Sequence, residues 1–293
     1  MRFAVFTAST PDWTPAEVVG HLSEQGWDGV EWRITNQSPA DTPGFWAGNR
    51  ATWPLDGLET SLGVLKELTR GAGLEFSSVG GYVSVADHRN ADRMLAATAA
   101  LSARQVRLTI PRMGSSDYRT LFAATRNDLE RAVTRAADLG VKVLVELHPE
   151  TIVPSASAAL RLVDGLDPAY VGVIHDLGNL LVEGYEATPT ALQLLGPYLA
   201  HVHVKNPRWI PGEPEPDGTV HWRHEWAPLR EGVGDIPGYL RDLQEAGYDG
   251  WIVSEDFSTD VPLQQRLRDN LAYLRAAATQ AETPAAPDEV HLP

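Results

Sequence analysis

The chain contains no cysteine and only three methionines among its 293 residues. The first absence removes disulfides, thiolate metal sites and cysteine nucleophiles together. Positive charge is also scarce: 24 Lys and Arg face 39 Asp and Glu, a formal net charge of −15 with the nine His neutral. No run of Lys or Arg exceeds a pair, and an acidic surface without basic clusters repels a phosphate backbone. Nucleic acid is therefore not an expected partner. Long apolar runs are missing as well. The opening Met1-Arg2-Phe3-Ala4-Val5-Phe6 is too short for the apolar core of a signal peptide, and nothing later approaches the roughly 20 apolar residues of a membrane span. Hydrophobic residues still make up 43% of the chain and charged ones 22%, which provides a core and excludes wholesale disorder. The expectation is a soluble, cytoplasmic protein with no membrane partner.

What is present is an alternation. Short β-branched runs at Phe3–Ala8, Gly29–Arg33, Glu75–Val79, Gln105–Ile110, Lys142–His148, Val171–Asp176, Ala200–Lys205 and Gly250–Glu255 read as strands. Between and after them, Ala- and Leu-rich segments with a 3.6-residue period predict helices at Pro15–Gln25, Leu58–Ala72, Ala91–Ala103, Tyr118–Leu139, Ala156–Gly165, Thr190–Leu195, Ile236–Ala246 and Leu263–Ala278. Eight strand–helix units are the count of a single α/β domain of the (β/α)₈ TIM-barrel type, here spanning 1–280, with a Pro-rich tail at 281–293. A local echo, Gly26-Trp27-Asp28-Gly29 against Gly247-Tyr248-Asp249-Gly250, marks two similar helix-to-strand turns. Two connections are long, Thr35–Asp56 after the second strand and Asn206–Gly234 after the seventh. Both leave the C-terminal ends of strands, where such barrels carry their active sites.

The last four strands each end in a chemically active residue: Glu146 in V-E-L-H, Asp176 in H-D-L-G-N, His203 in H-V-H-V-K-N and Glu255 in S-E-D-F. A lone acid at a strand end is commonly a turn or helix cap, and a lone strand His a satisfied core residue. Four such residues on consecutive strand ends can instead converge. Three carboxylates in one buried place repel, and a divalent cation relieves that repulsion. Oxygen-rich ligands with one imidazole suit one divalent ion, Mn²⁺, Mg²⁺, Co²⁺ or Zn²⁺, and do not choose among them.

At these motifs, and in G-W-D-G-V-E-W-R around the second strand, the chain resembles the sugar phosphate isomerase/epimerase family of xylose-isomerase-like TIM barrels. The resemblance implies that Glu146, Asp176, His203 and Glu255 hold the metal. It further implies that Glu146 and Glu255 move protons on opposite faces of a sugar or cyclitol, next to a carbonyl, through a metal-stabilised enediolate. The expected activity is thus isomerisation or epimerisation of a small carbohydrate. A lyase or hydrolase acting on 3-keto-glycosides at the same site is the alternative. Abasic-site endonucleases share this barrel, but the acidic balance opposes DNA binding; a noncatalytic sugar-binding subunit is the remaining reading.

Around that centre, His148 follows Glu146 by two residues and Lys205 follows His203 by two, so strand alternation aims each pair to one side. Both are expected to contact substrate oxygens, as are Glu31 and Arg33 at the end of the second strand. Arg208 lies one residue from the place where related epimerases carry a substrate-binding Arg. Asn179 stands three residues after Asp176, where several ketose epimerases have a His; an amide hydrogen-bonds but does not titrate near neutrality. Of the nine Trp, seven fall on the expected catalytic side, and Trp13, Trp46 and Trp209 are the expected stacking surfaces for sugar C–H faces. The same tryptophans would serve a subunit interface in a homo-oligomer. His221-Trp222-Arg223-His224-Glu225-Trp226 lacks the H-E-x-x-H spacing and reads as a lid or interface segment, and no phosphate-binding loop is evident.

Overall fold

A computed structural model describes residues 1–184 and 186–281. The Pro-rich tail expected at 281–293 lies, beyond its first residue, outside the described residues. The order of elements is β1 (Arg2–Phe6), α1 (Pro15–Gln25), β2 (Gly29–Ile34), α2 (Leu58–Gly71), β3 (Glu75–Gly81), α3 (His88–Ala100), β4 (Gln105–Arg107), α4 (Tyr118–Leu139), β5 (Lys142–Glu146), α5 (Ala156–Val163), β6 (Val171–Asp176), α6 (Leu177–Glu183), α7 (Thr188–Leu195), β7 (Leu199–Val204), β8 (Asn206–Pro211), β9 (Trp222–Ala227), α8 (Ile236–Glu245), β10 (Trp251–Ser254) and α9 (Leu263–Ala281). Eight of the strands are parallel and close into a barrel in the order β1, β10, β7, β6, β5, β4, β3, β2. This is the (β/α)₈ architecture that the alternation implies. Among the described residues no helix is long and apolar enough to cross a membrane.

Local chemistry sets the boundaries. Thr14 and Glu17 form a reciprocal capping box at the start of α1, Pro15 occupies its first turn, and Gly26 ends it with φ +85°. Gly247, the counterpart of Gly26 in the echo, has φ +76°; both turns need a left-handed residue, which is what the two segments share. α3 begins at His88 rather than the expected Ala91, because Asp87 caps it at Asn90 N. Two elements depart further from expectation. Asp176 caps an additional short helix, α6, directly after β6. The long connection after β7 is no simple loop: β8 and β9 pair as an antiparallel ribbon from Asn206↔Ala227 to Pro211↔Trp222. The connection after β2, by contrast, is largely irregular, with one bridge between Ile34 and Trp53.

Strand alternation divides the core. On β1, Phe3 and Val5 face the helices, whereas Ala4 and Phe6 face the barrel axis, where they meet Val253 and Phe257. That apolar column fills one side of the barrel. The other side is polar, lined by buried Glu31, Gln105, Arg107, His201 and His203 from β2, β4 and β7. Gly80 on β3 permits the packing between them: a Cβ there would lie 2.2 Å from Phe6 Cε2. Phe6 in turn stacks on the His203 ring at 5.9 Å. Gly80→Ala is therefore expected to destabilise the fold by about 1–3 kcal/mol through overpacking, read as a lower urea midpoint with unchanged slope.

Candidate metal centre

β5, β6, β7 and β10 are neighbours in the barrel, and register brings their ends level. Asp176 pairs with His203, His203 with Val253, and Glu255 N donates to Val204 O at 3.0 Å. One donor atom from each of Glu146, Asp176, His203 and Glu255 lies within 4.8 Å of the others, and all four residues are buried. His203 Nδ1 faces the group, 3.2 Å from Glu146 Oε1, 3.2 Å from Glu255 Oε1 and 3.8 Å from Asp176 Oδ2. Asp176 divides its oxygens: Oδ1 accepts from Asn179 N at 2.9 Å and caps α6, while Oδ2 turns into the cluster. The helix cap and the cluster member are one side chain.

The donor set suits a divalent cation. Four buried carboxylates (Glu31, Glu146, Asp176 and Glu255) face two permanent cations, Arg107 and Lys205. With the imidazoles neutral, two negative charges stay uncompensated, and a doubly charged ion balances them. Protonation equilibria carry the same strain. Burial, reinforced by Glu255 and Glu146, pushes Asp176 up to about 7 against the pull of Lys205. Burial also opposes charge on Glu146, but the Arg107 guanidinium and His203 hold its carboxyl well below the usual carboxylate range. For His203, burial is outweighed by Glu255 and Glu31, which lift it well above the ordinary imidazole value. Glu31 likewise stays ionised against burial because His203 and His201 attract it.

A cavity of about 610 Å³ opens above this floor, within the range of roughly 300–1,000 Å³ usual for small-molecule sites. Of the residues anticipated as site residues, Glu146, Glu255, His148, Asn179, Lys205 and Trp46 line it. Asp176 and His203 lie fully buried beneath. Lys205 Nζ bridges Asp176 Oδ2 and Glu255 Oε2, 2.5 Å from each. His148 Nδ1 lies 2.8 Å from Pro149 O, and the Asn179 amide donates to Leu147 O at 2.9 Å. The remaining anticipated residues stand away from the cavity. Glu31 is beneath His203, against Nε2 at 3.2 Å. Arg33 donates to Thr52 at 2.7 Å and lies 5.0 Å from the Tyr82 ring and 5.7 Å from the Trp46 ring, pinning the irregular loop to the wall. Arg208 reaches Asp260 at 3.3 Å on the outside, Trp209 abuts His224, and Trp13 packs on His21 at 4.4 Å.

Among the lining residues that escaped the sequence reading as site residues, Tyr82, Arg107, Trp226 and Phe257 carry the aromatic and charged groups nearest the cluster. Arg107 is the most consequential. It is buried on β4, donates from Nη1 to Glu146 Oε2 at 2.6 Å and from Nε to Gly81 O at 3.0 Å, and lies 4.4 Å from the Tyr82 ring. The available signal was the pair Gln105 and Arg107, polar residues two apart in an otherwise apolar strand. Trp46 packs on Phe257 at 5.1 Å, and Trp226 on Phe257 at 6.1 Å, so the irregular loop and the ribbon together supply an aromatic wall.

Residues 19–277 match the family model of the xylose isomerase-like TIM barrel. Inosose dehydratase of Lacticaseibacillus casei is 28% identical over 135 residues, covering 43% of this chain and 44% of that protein. The chain thus matches somewhat less than half the length of that curated relative. Two solved structures share the fold. The 3-keto-D-glucoside 4-epimerase of E. coli superposes with a TM-score of 0.70 at 17% identity, covering 94% of this chain and 99% of that one. A zinc-bound IolI protein superposes with a TM-score of 0.74 at 15% identity, covering 96% and 99%.

Proposed function

The chain belongs to the xylose isomerase-like TIM-barrel family, and on that premise we propose that it is a divalent-metal-dependent enzyme that moves a proton next to the carbonyl of a sugar or cyclitol. The reading is carried by the buried Glu146–Asp176–His203–Glu255 cluster on the floor of an aromatic-walled cavity. Glu146, Asp176, His203 and Glu255 would hold a divalent ion, Mn²⁺ first and Mg²⁺, Co²⁺ or Zn²⁺ otherwise, which when bound would supply Lewis-acid polarisation of the carbonyl and so acidify the neighbouring carbon. The chain's own groups do the rest. Glu146 and Glu255, from strands on opposite flanks of β6 and β7, take and return the proton from different sides. Arg107 keeps Glu146 ionised and oriented. Lys205, His148 and Asn179 hold substrate oxygens, and the Trp46 and Trp226 rings cover the C–H faces and exclude water. Arg33 supports Trp46 from behind, and Glu31 supports His203 from below. Arg208, Trp13 and Trp209 act at most through the loops that carry them.

Epimerisation or isomerisation follows if the second glutamate returns the proton to carbon. A second reading, elimination, is favoured by the inosose dehydratase relative and by Lys205, whose ammonium lies between Asp176 and Glu255 and would donate a hydrogen bond to a departing hydroxyl. Elimination of an alkoxide instead of hydroxide is the keto-glycoside lyase variant of the same step. Incubation of metal-loaded protein in D₂O with an inosose and with 3-keto-glucosides separates them. Deuterium gain without cleavage indicates the epimerase, loss of water the dehydratase, and release of the aglycone the lyase. Chelation is expected to abolish all three and added Mn²⁺ to restore them. Exchange that persists at full rate after complete metal removal would count against the proposal.

A further inference from the structure

Gln105 lies two residues before Arg107 on β4 and does not reach the cavity above the cluster. We propose that it is a positioning residue of the metal centre, which through His201 fixes the Glu31 carboxylate that receives His203 Nε2–H and so holds His203 Nδ1 toward the ion; this rests on the metal-site reading above. The chain of contacts fixes its own polarity. Gln105 Nε2 is 3.1 Å from the backbone carbonyl of Ser77 and 2.8 Å from His201 Nδ1. A backbone carbonyl can only accept, so the amide NH₂ group, not the amide oxygen, occupies that position. The second N–H of Gln105 therefore donates to His201 Nδ1. With Nδ1 accepting, the neutral His201 ring carries its proton on Nε2, which donates to Glu31 Oε2 at 2.7 Å. The same oxygen, with two lone pairs, accepts from His203 Nε2 at 3.2 Å. With Nε2–H directed at Glu31, it is His203 Nδ1 that faces Glu146, Asp176 and Glu255, and it is this nitrogen that would give up its proton to bind an ion.

The opposite tautomer of His201 would set its Nδ1–H against the Gln105 N–H and its bare Nε2 against the Glu31 carboxylate. Both contacts are repulsive, and because Glu31, His201 and His203 are all fully buried, the repulsion is felt at low dielectric. Four side chains from β2, β4 and β7 thus connect the backbone of β3 to the ligand nitrogen. An interior position that a branched apolar residue normally fills is here an amide whose hydrogens are both used.

Gln105→Met keeps the length and removes the donor; Gln105→Glu replaces the donor with an acceptor. Zn²⁺ affinity is measured by chelator competition, and His201 protonation by ¹⁵N NMR of the zinc-loaded, histidine-labelled chain. Expected are a bare His201 Nδ1 in the unaltered chain, Zn²⁺ binding weakened about 10-fold in Gln105→Met, and a larger loss with a protonated Nδ1 in Gln105→Glu. A folded Gln105→Met variant with Zn²⁺ affinity within about twofold of the unaltered chain would overturn the proposal. So would a protonated Nδ1 on His201 in the unaltered chain, a measurement that needs no variant. Failure of the unaltered chain to bind Zn²⁺ would instead sink the metal-site reading, and this inference with it.

Discussion

Replacing Glu255 with Gln is expected to lower turnover by roughly 10²- to 10⁴-fold, the range for removal of a positioned acid–base group. Gln keeps the shape of the side chain and can still offer an oxygen to a cation, but it cannot take a proton. It also deletes one of the three carboxylates around His203 Nδ1 and one of the two that hold Lys205. Metal content after gel filtration separates the two effects, since a variant that keeps its ion has lost proton transfer alone. The partner substitution, Glu146→Gln, adds information about the reaction. If one glutamate removes the proton and the other returns it, each metal-loaded single variant exchanges with solvent only the epimer whose proton faces the remaining glutamate, so the two variants exchange opposite epimers and neither interconverts them. If the reaction is an elimination, exchange depends on only one of the two, and the other substitution leaves it intact. Full turnover in metal-loaded Glu146→Gln and Glu255→Gln would remove both residues from the chemistry.

Arg107→Met is expected to have an effect nearly as large, for a different reason. The guanidinium is buried and bound to a buried carboxylate at 2.6 Å. Removing one partner of such a pair typically costs about 3–5 kcal/mol, because the other charge is left uncompensated in a dry site. The metal-free variant should therefore unfold at clearly lower urea concentration. Metal content should be retained, since Arg107 is not a ligand and its removal takes positive charge away from the cation site. Turnover should still fall by about 10²-fold, because Glu146 loses the group that fixes its orientation and its charge. Arg107→Lys restores the charge without the second donor to Gly81 O, so only partial rescue is expected. Wild-type stability and turnover in Arg107→Met would show that the pair is incidental.

The barrel and the buried four-residue cluster were legible in the sequence because both rest on local patterns. Strand–helix alternation fixed the order of the elements, and each cluster residue stands at the end of an apolar run, so consecutive runs imply neighbouring side chains. Arg107 was not legible. Within Gln105-Val106-Arg107 nothing distinguishes a strand facing solvent from one facing a polar barrel interior, and the partner of Arg107 is 39 residues away. The pairs Glu31 with Arg33, Gln105 with Arg107 and His201 with His203 share the two-residue spacing, and together they mark a polar interior. The ribbon escaped because its strands, Asn206–Pro211 and Trp222–Ala227, carry prolines and charges and no clean alternation of apolar residues. Arg208, Trp209 and Trp13 were placed correctly along the chain, but their side chains turn to other neighbours, an orientation that chain position does not specify.

The cavity draws its floor and its walls from different kinds of structure. The four floor residues stand at the ends of strands held on both sides by barrel neighbours, whereas Trp46 comes from the irregular connection after β2 and Trp226 from the ribbon. Substitutions, insertions and deletions are tolerated far better in such connections than in a closed barrel. Under selection, then, the wall and the floor can change at separate rates: a descendant can acquire a new cavity shape by remodelling two segments while inheriting the buried carboxylate–imidazole floor unaltered.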